Sequence, residues 1–422
     1  MVAKSLRKIK QFVIIPLGCS SPGAYNANVA TDKIAMTRRF SFFLRLPIIL
    51  FLAHVYAALR LAAAAPAGAA RWITVAALLL VYLLILAGFF TRRSVGSALG
   101  DAIAWAGFLS LGLFSWLLVL TFLRDVLLLL VTIAIAVRSE VISDPLFHLI
   151  HTTSAMAVPV LSLTAVFLGL LNARRLARVV DVEVRLPALP EALQGFTIVQ
   201  VSDLHIGPTI KQRYVDAVVD AVNRLSPDII ALTGDLVDGG VARLAKDISP
   251  LARLKARHGI YAVTGNHEYY SGAEQWVAEF RRLGLDVLMN QHRILSYQGA
   301  MLVVAGVTDF GARGFDASQA SDPATALSGA PAGAAVKILL AHQPRTAPAA
   351  AAAGFDLQLS GHTHGGQFWP WKYLVPLQQP FVDGLHRHGR MAVYVSRGTG
   401  YWGPPMRLGA RSEITRIRLA GN

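Results

Sequence analysis

Cysteine is almost absent. The single residue, Cys19 in a chain of 422, excludes an internal disulfide framework and leaves the redox compartment open. Charge is scarce as well. Charged residues make up 15% of the chain and hydrophobic ones 54%, where ordinary soluble domains carry roughly 25% charged residues. An ordinary soluble composition is therefore excluded; the apolar excess belongs in a membrane or in an unusually greasy core. Acidic residues are the rarer sign, 25 against 40 Lys and Arg, and the deficit is uneven. Residues 1–178 hold 17 Lys+Arg and 5 Asp+Glu, a net +12, which leaves 23 and 20, a net +3, for residues 179–422. The basic excess sits in the first half, where it orients helices and meets anionic lipid. The second half lacks the charge of a nucleic-acid-binding face, and no nucleic acid is expected as partner.

Long apolar runs fill that first half. Candidate spans cover roughly Leu46 to Ala64, Trp72 to Phe90, a third starting near Ile103, and Thr153 to Leu171. Each approaches the ~20 residues needed to cross a bilayer. In the third, Arg124 and Asp125 are followed by twelve more apolar residues, "VLLLLVTIAIAV". Ile103 to Val137 is read as one long or broken helical unit, with a fifth helix as the alternative. Basic residues flank the spans in the order basic (Lys4 to Arg45), poor (Arg71), basic (Arg92, Arg93), mixed (Arg138 with Glu140 and Asp144) and basic (Arg174, Arg175, Arg178). This alternation predicts about four helices at 41–175, with both ends, and so the second half, in the cytoplasm. Arg60, inside the first span, is expected to snorkel from a helix end. Residues 1–40 form a basic N-terminal extension, either disordered or preceding a true start at Met36. Its short apolar run before Cys19 is interrupted by Pro16, so export is not expected.

The second half, 180–422, alternates strand-like and helix-like segments. "GFTIVQVSDLH", "PDIIALTGDLVD" and "GIYAVTGNHE" are apolar runs that end in polar residues. "YVDAVVDAVNRL" has helical spacing, with Val215, Val218, Val219 and Val222 on one face. A layered α/β domain follows. Ser318 to Gly333 reads as an irregular surface loop.

Polar residues cluster where the apolar runs stop: Asp203 and His205, Asp235 and Asp238, Asn266 with His267 and Glu268, His342, then His362 and His364 in "SGHTHGGQ". Ligand sites in open α/β sheets form beyond the carboxyl ends of strands. Imidazole with carboxylate suits Zn, Mn, Fe or Co rather than Mg or Ca. So many donors exceed the needs of one tetrahedral ion and suit two divalent ions sharing a carboxylate. Singly, Asp203-Leu204-His205 and "GDLVD" are ordinary turns; together, in this order, the motifs point to metal.

The series Asp203-x-His205, Gly234-Asp235-x-x-Asp238, Gly265-Asn266-His267-Glu268, His342 and Gly361-His362-x-His364 resembles the calcineurin-like metallophosphoesterases, in particular the membrane-anchored bacterial subgroup of YkuE-like and YaeI-like proteins. The resemblance runs from about Gly195 to Leu419. It implies a two-sheet β sandwich flanked by helices and a binuclear centre. It also implies that Asp203, His205 and His364 hold one ion, that Asn266, His342 and His362 hold the other, and that Asp235 bridges them. His267 then faces the substrate, Glu268 orients it, and Asp238 supports its own loop or a ligand. Two divalent ions would neutralise phosphate oxygens and activate a water, and His267 is expected either to steady the transition state or to protonate the leaving oxygen. Arg397 and Arg407 are weaker candidates for holding phosphate. "QFWPWKYLVPLQQPFVDGL" is apolar for a surface loop; Trp369 and Trp371 are expected either to pack over the sheet or to form a lip touching the bilayer. The expected function is a membrane-anchored phosphodiesterase or pyrophosphatase acting on a lipid-linked or membrane-proximal phosphoester. The alternatives are a metal-binding sensor or transport accessory without hydrolysis, and a nuclease.

Overall fold

The computed structural model describes residues 45–91, 98–137 and 143–421. The basic extension, with Cys19 and Met36, and the loop residues Arg92, Arg93, Arg138 and Glu140 lie outside the described residues. Among the described residues, four helices are long and apolar enough to cross a membrane: α1 (Arg45–Ala64), α2 (Ala69–Thr91), α3 (Ala98–Val137) and α4 (Asp144–Arg174). No proline interrupts α3, and its 40 residues form one continuous helix, about 60 Å long at 1.5 Å per residue. The ambiguous third span is thus a single unit, longer than a bilayer core is thick.

Glycines and a few polar groups join these helices. A Cβ added at Gly88 of α2 would come 2.8 Å from the Gly107 Cα of α3, so the two backbones cross in close contact. Arg60 of α1 forks onto Asp125 of α3 at 2.7 and 2.9 Å, and the Tyr56 hydroxyl donates to the same carboxylate at 2.8 Å. Arg60 is therefore paired rather than snorkelling. Arg124 is buried and donates to Ser154 Oγ (3.1 Å) and the His151 carbonyl (3.0 Å) of α4. A charge among apolar helices is costly unless partnered, and these groups partner one another.

The second half folds as two six-stranded sheets. The first runs β1 (Arg178–Arg185), β12 (Glu413–Ala420), β2 (Thr197–Val201), β3 (Ile229–Leu232), β4 (Ile260–Ala262), β5 (Asp286–Val287). The second runs β10 (Gly384–His388), β11 (Met391–Val395), β9 (Leu357–Ser360), β8 (Val336–Leu340), β7 (Ala300–Gly306), β6 (Gln291–Tyr297). The inner strands β2, β3 and β4, and β7, β8, β9 and β11, have parallel neighbours, which is why most of them read as unbroken apolar runs. Ile198, Ile229, Val304, Ile338, Leu359 and Ile417 belong to the core shared by the two sheets. α5 (Gln212–Arg224) lays its buried valines on the outer face of the first sheet, with α6 (Val241–Ile248) and α8 (Ala273–Arg282) beside it. Between them α7 (Asn266–Ser271) carries the "NHE" motif. The stretch expected to be irregular, 318–333, holds a short helix, α9 (Pro323–Leu327), because Asp322 caps it by accepting from the Ala324 and Thr325 backbone N–H groups. α10 (Ala347–Ala353) covers the second sheet.

Candidate metal centre

The polar strand ends converge on one rim. Ligand-type atoms of Asp203, His205 and His364 lie within 4.8 Å of one another, as do those of Asp235, His342 and His362. Asp235 Oδ2 stands between the groups, 3.1 Å from His342 Nε2 and 3.9 Å from His205 Nε2. His205 Nε2 faces His364 Nε2 at 3.0 Å, and Asp203 Oδ1 lies 3.4 Å from His364 Nε2. His362 Nδ1 lies 3.2 Å from His342 Nε2. Asn266 Oδ1 is buried with no hydrogen-bond partner. Nitrogen lone pairs aimed at each other across carboxylates, beside an orphaned amide oxygen, are the donor set a divalent cation satisfies.

Local backbone makes this possible. Asp203, His205, Asp235, His362 and His364 all have left-handed φ, between 50° and 71°. Side chains rarely adopt that conformation, and it concentrates at functional sites. The glycines of "SGHTHGGQ" make room: a Cβ at Gly361 would collide with Ser202 Oγ and Asp203 Oδ2, and one at Gly366 (φ +78°) with the Lys372 backbone. The tautomer of His342 is set by its Nδ1, 2.8 Å from the Thr233 carbonyl oxygen, which frees Nε2 as a donor atom.

The electrostatics differ within the cluster. Burial pushes Asp203 up, and pushes the Glu268 carboxyl up to about 7. Burial lowers His362 to about 3 and, with the Arg407 guanidinium, holds His364 well below the usual imidazole value; both are neutral, as ligation requires. Burial opposes charge on His342 and Asp235 too, but their mutual attraction wins, raising the imidazole and lowering the carboxyl.

Several expected residues take different parts. Glu268 is committed to the backbone. Its carboxylate accepts from the backbone N–H groups of Asp235 (3.0 Å), Leu236 (2.7 Å) and Gly265 (2.7 Å), tying two motif loops together. Asp238 is the carboxylate on His267 Nδ1, in a short contact, and it reaches His205 Nδ1 at 3.2 Å. Arg407 is buried and donates to the carbonyls of His364 (2.9 Å), Arg397 (2.8 Å) and Gly400 (3.1 Å), so its fork is spent on the loops. Arg397 pairs with Asp383 at 2.5 Å. Trp369 and Trp371 do not form a free lip. Trp369 stacks on Trp116 of α3 (centroids 5.6 Å apart), and the Trp371 indole N–H donates to Ser115 Oγ at 2.8 Å. Apolar rings with a polar handle gain more from that helix face than from lipid.

The chain aligns with known proteins over this half. The calcineurin-like phosphoesterase profile matches residues 196–366. An uncharacterized metallophosphoesterase of Campylobacter jejuni is 36% identical over 63% of this chain and 69% of its own length. The chain belongs to the calcineurin-like phosphoesterase family. A Danio rerio protein described as a transmembrane protein with metallophosphoesterase domain is 39% identical over 63% of this chain, and the chain spans only 62% of that relative's length. The YkuE metallophosphoesterase of Bacillus subtilis is 30% identical over 55% of this chain and 81% of its own. The family uses divalent metals, and in this member the side chains able to hold them are gathered at the sandwich rim.

Sequence reading missed the surroundings of His267. Tyr270 and Trp402 stand edge-on to its ring at 5.1 and 5.7 Å, and Phe315 lies 5.7 Å from Tyr270. All three are exposed. They come from three separate segments, so no local pattern marks them. Gln367, at the end of the glycine motif, holds Trp402 in place, accepting from its N–H at 2.9 Å and donating to its carbonyl at 2.9 Å.

Proposed function

We propose that the chain is a membrane-anchored phosphohydrolase with two divalent ions, acting as a phosphodiesterase or pyrophosphatase on a lipid-linked or membrane-proximal phosphoester from the cytoplasmic face of a bacterial inner membrane. Within it, 41–175 is the membrane region and 180–422 the catalytic domain. The observation that supports this most is continuity: the His362–His364 turn runs directly into Phe368 and Trp369, which pack with Met406 against Trp116 and Ala165 of α3 and α4. A site so close to apolar helices favours a substrate that stays in the bilayer.

Asp203, His205 and His364 hold one ion in this reading, Asn266, His342 and His362 the other, and Asp235 is shared. When bound, such ions withdraw charge from the phosphoryl oxygens. His267 protonates the leaving oxygen from Nε2, while Asp238 on Nδ1 fixes its tautomer and supports its charge. Glu268 keeps Asp235 and the Gly265 turn in register. Tyr270, Phe315 and Trp402 receive the apolar part of the leaving group beside His267.

The test is a screen of the metal-loaded full chain in nanodiscs against phosphomonoesters, soluble diesters, sugar-diphosphate lipids and phospholipids. The reading expects kcat/KM to be highest on a lipid-linked ester. Equal kcat/KM on a soluble diester and its acylated counterpart would remove the lipid from the assignment; single-stranded DNA outpacing both would make the chain a nuclease.

A further inference from the structure

The loop 402–409 joins the metal centre to the membrane helices through two adjacent residues. We infer that α3 and α4 set the position of the His364 imidazole through Met406 and Arg407, so that Arg407 is a positioning residue and the membrane half is part of the metal site rather than only its anchor. The inference rests on His364 being a metal ligand, as proposed above.

On the membrane side, Met406 fills a notch made by two missing side chains. A Cβ at Gly112 of α3 would come 2.6 Å from Met406 Cε, and one at Gly169 of α4 would come 3.1 Å from Met406 Cγ. Trp116, Ala165 and Phe368 close the notch around it. The next backbone N–H, that of Arg407, donates to the Gly169 carbonyl at 2.9 Å. A carbonyl inside a helix ordinarily serves only its own turn; glycine leaves this one uncovered. The catalytic domain is thus hydrogen-bonded into the flank of a membrane helix.

On the metal side, the same residue grips the ligand. Arg407 Nη1 donates to the His364 carbonyl at 2.9 Å, bracing the backbone of the residue whose Nε2 faces His205 and Asp203. Its remaining donors hold the Arg397 and Gly400 carbonyls, at 2.8 and 3.1 Å. A planar guanidinium with every arm committed transmits displacement rather than absorbing it. His364 also sits in strained left-handed backbone, φ 53°, and needs such outside support. Metal ligands must be held to within roughly 0.5 Å, so a small shift of α3 against α4 at Met406 reaches His364 through few intervening bonds.

The experiment uses the full chain in nanodiscs loaded with cobalt(II) alone, reading the affinity of each site and the cobalt absorption spectrum. His364→Ala sets the scale by losing one of the two ions. Gly112→Leu, which evicts Met406, and Met406→Ala, which empties the notch, are each expected to weaken that same site about tenfold, the usual cost of disturbing an outer partner, and to change its spectrum while the other site keeps its own. Arg407→Lys, which keeps the charge and loses the fork, gives the same spectral change. Leu128→Ala, elsewhere on α3, leaves both sites as they were. Parental cobalt affinity and spectrum in folded Met406→Ala overturn the bridge alone. Retention of both ions by His364→Ala overturns the ligand reading and the bridge with it.

Discussion

The two halves of this protein solve the burial of polar groups in opposite ways. In the helices, large apolar side chains such as Leu80, Leu83, Leu129 and Phe167 face outward, and the charged groups Arg60, Arg124 and Asp125 turn toward one another. In the sandwich, apolar side chains face inward, and Asp203, Asp235, Glu268 and His342 are nonetheless buried together at the rim. The helices hold few charged groups and pair Arg60, Arg124 and Asp125 with one another. The rim concentrates many and leaves donor atoms such as Asn266 Oδ1 unanswered. What sets the rim apart is convergence: a paired charge stabilises a helix contact, whereas imidazoles and carboxylates gathered within 4.8 Å of one another form the kind of cluster that takes a ligand.

Variants can break that contrast. The largest effect is expected from Asp235→Asn, because its carboxylate lies between both donor groups. Elemental analysis should find both ions depleted and activity at background; a full metal complement would end the bridging role. His267→Ala comes next, keeping its metal yet slowing turnover by about 10²–10⁴-fold, the usual worth of a positioned proton donor. Parental activity across pH would remove it from the chemistry.

Glu268→Ala should act on stability rather than on the proton. It strips three buried backbone N–H groups of their acceptor, each costing about 1–3 kcal/mol when unsatisfied. Its denaturant midpoint should drop well before its pH profile changes. A shifted profile with unchanged stability would return Glu268 to its sequence-based role of orienting His267.

The double change Tyr270→Ala with Trp402→Ala should lower turnover of an acylated diester several-fold more than that of a soluble one, sharpening the link between rim and bilayer; equal losses would make the collar plain packing. The smallest effect on the site is expected from Asp125→Asn. It weakens the Arg60 fork and loosens α1 from α3, and detergent resistance should fall while metal content stays at two ions. Metal loss in that variant would show that coupling between the halves runs through more than the Met406 notch.

Much of this was legible beforehand, for identifiable reasons. The membrane helices announce themselves because a bilayer demands about 20 apolar residues in a row, while the third span stayed open between one long or broken unit and two helices until the structure showed a single α3. Donor residues were legible because polar side chains at the ends of apolar strands have few other uses. Glu268 was misplaced because its expected role came from the family resemblance, whereas α7 turns its carboxylate back onto the Asp235 loop. Trp369 and Trp371 were half-read: their apolarity was visible, but their partners Trp116 and Ser115 lie some 250 residues earlier.

By itself, then, the sequence determined most of the elements and their order, though not α9, together with the membrane nature of the first half and the chemistry of the donors, since these follow from local pattern and residue type. Tertiary structure alone decided which atoms face each other: Asp238 rather than Glu268 on His267, the aromatic ring of Tyr270, Phe315 and Trp402, and the Met406–Arg407 link from Gly112 and Gly169 to His364. Those contacts join segments tens to hundreds of residues apart. They depend on the angle at which sheets and helices come together, which no local spacing encodes.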